Sequence, residues 1–264
     1  MDVLVCVKRV PTVGGAITVS ADGLSVDTRM SGFTISPHEE CAVEEAVRFV
    51  ERFGGSVTVA TLGPAEAEEQ LRSCLALGAS AAVLLETPAG AEFGPAATAE
   101  ALHSVAADGG FDLVLLGNEA ADTGDYQVGI RLAHLLGRPV ATGIKALTVN
   151  DEGTSAAARR EYRGVAETYT LPLPCVLTVR EGINLPRYPS LPGRLRAKRA
   201  VISRVPVSPV AGAALRTTAL QTTALRTTAL RVPAAARREA TVLGHGVDAV
   251  PALVSVLAEL GVLS

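Results

Sequence analysis

The sequence predicts an α/β protein: a parallel sheet doubly wound, with helices on both faces, followed by an extended arm and a terminal helix. Three observations carry this. Short, mostly apolar runs recur along the first two thirds of the chain. Helical patterns with start and stop signals separate them. Hydrophobic residues make up 48% of the 264 positions, yet aromatics only 3% and Trp none, as in buried aliphatic strands layered with Ala-rich helices.

The elements follow in order. Val3–Val7 is a short, all-apolar run, as a strand covered on both faces requires. Ser36-Pro37-His38-Glu39 offers an N-cap, a proline at the first helical position and a capping-box glutamate. Ala42, Val43, Ala46, Val47 and Val50 then mark one helix face. Strands are expected at Ser56–Leu62, Ala81–Leu85, Asp112–Leu116 and Cys175–Val179. A second helix runs from near Pro64 to Gly78 and a third from Ala96 to Ala107. A fourth runs from about Asp125 to Leu136, stopped by Gly137 with Pro139 beyond. Strands alternating with helices of this length make βαβ units. Ala146–Tyr169 is polar and carries Asp151-Glu152-Gly153, the pattern of an antiparallel excursion on a sheet edge.

After Val179 the character changes. Arg180–Arg204 is rich in Pro and Arg, and Val205–Val232 has little periodicity. Within it, Leu-Arg-Thr-Thr-Ala, Leu-Gln-Thr-Thr-Ala and Leu-Arg-Thr-Thr-Ala stand in tandem over Leu215–Ala229. A five-residue period sets successive leucines about 140° apart on a helix, so they form no stripe. A local duplication in a tolerant, exposed arm accounts for it. The last helix is expected over Val247–Leu260. The domain plan is 1–190 for the α/β domain, 191–232 for a loop and arm, and 233–264 for a C-terminal helical segment.

A formal charge of −3 argues against a nucleic-acid binder, which needs a net basic face. Cys6, Cys41, Cys74 and Cys175 show no C-x-x-C pairing and read as small buried hydrophobes in a reducing compartment. The charges near the amino terminus follow a short apolar run, the reverse of a signal peptide, and no stretch is apolar enough to span a bilayer. A cytoplasmic protein without membrane insertion is expected.

In an open parallel sheet, ligands sit beyond the carboxyl ends of the strands. Three such ends stand out: Cys6-Val7-Lys8-Arg9-Val10-Pro11, Thr61-Leu62-Gly63-Pro64, and Gly117-Asn118-Glu119-Ala120-Ala121-Asp122-Thr123-Gly124, which opens a helix containing Gln127-Val128-Gly129. Small residues in the last loop let backbone approach a ligand, and the helix that follows presents free N–H groups to a phosphate. Asn118 and Glu119 suit a base or ribose, and Thr123 or Gln127 a phosphate. The same residues equally suit an ordinary strand-to-helix turn with Asp122 or Thr123 as N-cap. No Walker A string occurs. Gly244-His245-Gly246-Val247-Asp248-Ala249 fits G-x-G-x-x-A after a possible strand at Ala240–Leu243, but no second strand follows it.

Catalytic constellations are missing. His38, His103, His134 and His245 have no metal-ligand spacing, no G-x-S-x-G elbow occurs, and the carboxylate clusters lie in helix first turns or on solvated faces. The expectation is a protein that is not an enzyme and holds no metal.

Val5-Cys6-Val7-Lys8-Arg9-Val10-Pro11, Leu116–Gly129 and Gly182-Ile183-Asn184-Leu185-Pro186-Arg187-Tyr188-Pro189-Ser190-Leu191-Pro192-Gly193-Arg194-Leu195-Arg196-Ala197-Lys198 together resemble the electron-transfer flavoprotein beta-subunit family. Ser36–Val47 looks like that family's second nucleotide-contacting segment. The resemblance runs from residue 1 to about 204 and resumes at Pro233. It implies a Rossmann-like fold and a heterodimer with a larger alpha subunit that holds most of the redox FAD. It further implies a structural AMP in this subunit, or a second FAD in electron-bifurcating members. Electrons would pass from acyl-CoA dehydrogenase-type donors to a membrane quinone oxidoreductase. Carried over by position, the nucleotide contacts fall at Cys6, Ser36, Pro37, His38, Glu39, Leu62, Gly117, Asn118, Glu119, Ala120, Ala121, Asp122, Thr123, Gly124, Gln127 and Val128. The docking contacts fall at Leu191, Pro192, Arg194, Arg196 and Lys198, an apolar anchor rimmed by cations that suits a transient redox contact. The C-terminal segment would pack on the partner subunit.

The chain departs from the family pattern at Ser36, Thr12 and Leu185, where Asn, Asp and Glu are usual, and Arg196 and Arg199 replace lysines. Gln127-Val128-Gly129 follows the FAD-binding members, and the loop lacks the acidic run of the AMP-binding ones. A reading of a different class is a stand-alone adenine-nucleotide sensor of the universal-stress type, which leaves Arg180–Arg199 without a role.

Overall fold

The computed structural model describes residues 1–12, 17–91, 93–207, 227–233 and 240–262. The chain divides into two compact units, Met1–Ala16 with Asp27–Thr228, and Ile17–Val26 with Ala229–Ser264.

The first unit is built on a nine-stranded sheet. Its strands are β1 (Asp2–Cys6), β4 (Ser56–Gly63), β5 (Ala81–Glu86), β6 (Leu113–Gly117), β7 (Val140–Val149), β8 (Ser155–Tyr162), β9 (Val165–Pro172), β10 (Cys175–Val179) and β11 (Ser203–Pro206). The order is β11-β5-β4-β1-β6-β10-β7-β8-β9. Every pairing from β11 to β7 is parallel, and β7-β8-β9 form an antiparallel meander at one edge. A separate two-residue pair joins β2 (Val10–Pro11) to β3 (Phe33–Thr34).

Alternate residues of the buried strands face two layers. Val3, Val5, Val57, Val59, Leu113, Leu115 and Leu177 pack toward α1 (Pro37–Phe53) and α2 (Glu68–Leu77). Leu4, Cys6, Ala60, Val114, Leu116 and Val176 pack toward α3 (Pro95–Asp108) and α4 (Val128–Leu136). The all-apolar runs are thus strands buried on both faces. The chain moves outward from β1 through β4 to β5, then returns to place β6 on the other side of β1. That reversal is the topological switch point at which such sheets bind ligands.

Local chemistry sets the helix ends. Pro37 opens α1 behind the N-cap Ser36, whose amide donates to Glu39 Oε2 at 3.1 Å. Gly78 and Gly137, at φ +134° and +61°, end α2 and α4. The fourth helix begins at Val128, three residues later than the sequence suggested, because Gly124 and Tyr126 both take positive φ. Thr61–Pro64 closes β4 and passes through a short 3-10 turn, Ala65–Ala67, into α2.

Besides the short β2–β3 pair, two elements were not expected. Leu191–Arg199 is a helix, α5, rather than a loop: Ser190 Oγ caps it by accepting from the Gly193 amide at 3.1 Å. Arg196, Lys198 and Arg199 lie in its last turn, where the helix dipole favours cations. Gly193 lets α5 press on α2, since a Cβ there would sit 2.4 Å from the Ala76 carbonyl oxygen. Arg72 reaches across from α2, its Nη1 donating to the carbonyls of Ala197 (2.5 Å), Lys198 and Ala200. Beyond α5, β11 adds an edge strand, and Arg204 pairs with Glu68 and with Glu86.

The second unit contains a tight turn within Ile17–Val26, closed by a Val19–Val26 bridge, and Leu230 donates its amide to the Gly23 carbonyl at 2.7 Å. Its helix, α6 (Val250–Glu259), follows a 3-10 turn at Gly246–Ala249 and buries none of its residues. Ala240–Leu243 forms no strand. Most of the Leu-Arg-Thr-Thr-Ala tandem lies outside the described residues.

Candidate functional site

At the switch point a cleft of about 430 Å³ opens between the amino terminus of α1 and the loop that leaves β6. Ser36–His38, Glu119–Gly124 and Glu181 line it. The 17-residue α1 directs the positive end of its dipole toward this opening.

The β6 loop is held at several points. The Asn118 amide donates to the Val179 carbonyl at 2.8 Å, and the Asn118 Oδ1 accepts from the Thr178 hydroxyl at 2.8 Å. Thr178 Oγ1 in turn accepts from the Gly143 amide at 3.0 Å. The Ala121 amide donates to Ser36 Oγ at 3.0 Å, which ties the loop to the start of α1. Lys8, two residues past β1, donates to Asp122 Oδ1 at 2.8 Å and to Thr123 Oγ1 at 3.5 Å. Three strand ends and one helix start therefore meet here through named side chains.

Close approach of α1 depends on Gly117. A Cβ at that position would lie 2.7 Å from Glu39 Cγ and 3.2 Å from His38 Cβ. Glu39 is buried, and burial pushes its carboxyl up to about 8, against the lowering effect of the Lys8 and Ser36 amides. His38 is 8% exposed, and its Nδ1 has no hydrogen-bond partner among the described residues. Burial lowers its pKa, while the neighbouring Glu119 and Glu181 oppose that and Arg180 adds to it.

Of the sixteen residues that the family resemblance marks for the nucleotide, the cleft brings together Ser36, Pro37, His38, Glu119, Ala120, Ala121, Asp122, Thr123 and Gly124. Seven stand elsewhere. Glu39, Gly117 and Asn118 frame the cleft from behind. Cys6 faces the α3–α4 layer, its thiol pushed up to about 12 by burial and by Glu39, and Leu62 and Val128 pack on the same layer. Gln127 is the N-cap residue of α4 and its Oε1 accepts from Arg131 Nη2 at 2.9 Å. Glu181 was not singled out from the sequence, although its place two residues past the all-buried β10 is the signal that marks such loop positions.

The docking residues lie on α5. Leu191 is 71% exposed at the first helical position, and Pro192, Arg194, Arg196 and Lys198 are exposed with it. Arg196 also borders a groove of about 320 Å³ with Tyr188 and residues of α1 and α2. The strap before α5 is pinned across α1. Asn184 Nδ2 donates to Glu45 Oε2 and the Cys41 carbonyl, and Arg187 donates to both Glu44 and Glu51. Among the described residues, no group of three or more His, Cys, Asp or Glu side chains is placed to hold a metal ion, and no helix is long and apolar enough to cross a membrane.

The family model described as "Electron transfer flavoprotein domain" matches residues 23–210. The Bacillus subtilis electron transfer flavoprotein subunit beta is 38% identical over 200 residues, covering 75% of this chain and 76% of the relative. The human subunit beta is also 38% identical, over 203 residues, covering 76% and 79%. The Bradyrhizobium diazoefficiens subunit beta is 37% identical over 211 residues, covering 79% and 82%. With a family model over residues 23–210 and relatives of 37–38% identity over most of both chains, the chain belongs to the electron transfer flavoprotein beta-subunit family.

Proposed function

We propose that this chain is the beta subunit of a heterodimeric electron-transfer flavoprotein that carries electrons from acyl-CoA or related dehydrogenases to a membrane quinone oxidoreductase. In this reading a larger alpha subunit holds most of the redox FAD, and the switch-point cleft holds a structural AMP. The chain is a carrier component and supplies no catalytic group of its own. FAD supplies the electron chemistry when bound; the residues of this chain position nucleotide and partners.

The observation that carries the reading is the cleft itself. It joins the start of α1, the β6 loop and Lys8 at the switch point, from residues whose order along the chain matches the family's nucleotide segments. The donors suit an adenine nucleotide. Lys8, the Thr123 hydroxyl and the helix terminus offer positive charge and donors to a phosphate, and Gly117 lets backbone and helix close on the ligand. His38 lines the cleft beside Glu119 and Glu181. The volume falls within the roughly 300–1,000 Å³ range of ligand pockets. A second reading, a bifurcating-type subunit with a second FAD here, draws on Gln127-Val128-Gly129. Gly129 packs so closely on Thr178 that a Cβ would lie 2.4 Å from its Cγ2.

Co-expression with the adjacent large-subunit gene, purification, and release and quantification of bound nucleotides tests the proposal. One FAD and one AMP per heterodimer is the expected result. Two FADs and no AMP would select the bifurcating reading. Failure to form a complex would select a stand-alone nucleotide sensor.

A further inference from the structure

We propose that Arg72 on α2 is a positioning residue for donor docking: by holding the carboxyl-terminal end of α5 it fixes the direction in which Leu191 is presented. This rests on the reading of α5 as the surface that a donor dehydrogenase meets, and adds to it what sets that helix in place.

The helix has little of its own to hold it. At nine residues, α5 is shorter than the roughly 12–15 that an isolated helix needs. Only Gly193 and Ala197 in it are buried. They stand four apart and share one face, while Leu191 and Leu195, two residues out of that register, lie about 200° round the helix and are exposed. The close contact of Gly193 with the Ala76 carbonyl sets the distance between α5 and α2. It buries little apolar area and offers no large side chain to interlock, so it does not set the rotation of α5 about its axis.

Arg72 supplies the missing grip. Its Nε and Nη2 both reach Glu68 Oε1, at 2.8 and 2.6 Å, which leaves Nη1 to face α5. Nη1 donates to the carbonyls of Ala197 at 2.5 Å and of Lys198 and Ala200 at 3.3 Å. These groups close the helix, where carbonyls lack an intrahelical partner and the dipole attracts a cation. Glu68 is itself held, since Arg204 on β11 pairs with it and with Glu86 on β5. The guanidinium is thus anchored to the sheet edge on one side and closes on the end of α5 on the other. With Ser190 capping the opposite end, both termini of α5 are fixed by hydrogen bonds. A planar fork serves both sides at once, and an ammonium cannot.

The test uses the heterodimer made by co-expression with the adjacent large-subunit gene. Arg72→Gln and Arg72→Lys are each prepared alone and combined with Leu191→Ala, with flavin content and circular dichroism to verify assembly. Stopped-flow measurement gives the second-order rate constant for flavin reduction by a substrate-reduced acyl-CoA dehydrogenase, and mass spectrometry follows amide hydrogen exchange across α5. Arg72→Gln should lower the rate constant about fivefold, the effect of one hydrogen bond, and speed exchange in α5. Arg72→Lys, which keeps the charge and loses the fork, should lower it about twofold. In the Leu191→Ala background Arg72→Gln should cost less than about twofold, because the side chain it aims is gone. A wild-type rate in Arg72→Gln overturns the proposal. So does an undiminished loss on top of Leu191→Ala, which would place the action of Arg72 elsewhere than on the docking helix. If Arg72→Gln does not assemble with flavin, Arg72→Lys gives the same comparison: a loss confined to the protein that retains Leu191 supports the proposal, and no loss, or an equal loss in both, overturns it. Leu191→Ala with wild-type kinetics overturns the docking reading itself, a result distinct from additive losses.

Discussion

At the scale of single residues, Glu39 links the cleft to the pH dependence of the fold. Its carboxyl is raised by burial to about 8 from an ordinary 4.5, so the folded state holds a proton that the unfolded chain releases. Its stabilising effect is therefore full below about 4.5 and is lost as pH rises through about 8. Glu39→Gln keeps the hydrogen bond to the Ser36 amide and removes the titration. Urea unfolding at pH 6 and pH 9 should show a smaller loss of midpoint for the variant than for wild type, and equal losses would discard this assignment. Gly117→Ala tests the packing behind the cleft. Its Cβ would meet Glu39 Cγ at 2.7 Å, so a loss of about 1–3 kcal/mol in denaturant-measured stability is expected, together with weaker nucleotide binding. Which loop residues meet in the cleft was legible from strand ends and small-residue loops. That Asn118 turns to Thr178, and that Cys6 and Leu62 face the α3–α4 layer, was not. Strand alternation decides those directions, and it emerges only once the sheet order is known.

At the scale of elements, the strap before α5 shows how side chains fix a segment that has little regular structure. Glu44 is almost fully buried in α1. Burial raises its pKa, but hydrogen bonds from Arg187 and Arg48 outweigh this and the net shift is downward. Arg187 grips Glu44 and Glu51 together. Arg187→Ala leaves Glu44 with Arg48 alone and should cost about 2 kcal/mol, the group being partly screened by solvent. Arg187→Lys should restore less than half of it, because an ammonium cannot make the forked contact. Chemical denaturation measures both, and limited proteolysis should show earlier cleavage near Asn184–Ser190 in the alanine variant. The helices with proline starts and glycine stops were readable in advance, as were the five buried strands and the edge meander, because each carries its own period and punctuation. The α5 helix was hidden by Pro192 and Gly193, which read as a loop. Both are tolerated because proline fits a first turn and glycine is required against Ala76. The four-residue β11, with its Arg and Pro, carries no strand signal, and its parallel pairing with β5 determines its structure.

At the scale of the whole molecule, the doubly wound sheet separates two tasks: the switch point holds the cleft, while α5 presents its exposed residues from the α2 side of the sheet. Leu191 stands 71% exposed at the start of α5, rigidly capped by Ser190, with Arg194, Arg196 and Lys198 exposed beyond it. If this is the surface a donor dehydrogenase meets, its two components should fail in different ways. The cations lie at an exposed rim, where their contribution is to the rate of encounter and is screened by salt over about 10 Å at 0.1 M. The leucine is an apolar anchor whose loss weakens the complex once formed. Stopped-flow measurement of electron transfer from an acyl-CoA dehydrogenase to the flavin should therefore separate them. Leu191→Ala should lower the second-order rate constant about five- to tenfold at every ionic strength, with flavin content and absorbance spectrum unchanged. Arg194→Gln combined with Lys198→Gln should lower it at low salt and converge on wild type as salt rises. Because Leu191 lies on a different element from the cleft, nucleotide affinity should be the same in all three proteins. A Leu191→Ala protein with wild-type transfer kinetics would take the docking role away from α5, and one that lost its nucleotide would show that α5 and the cleft are coupled through the strap across α1.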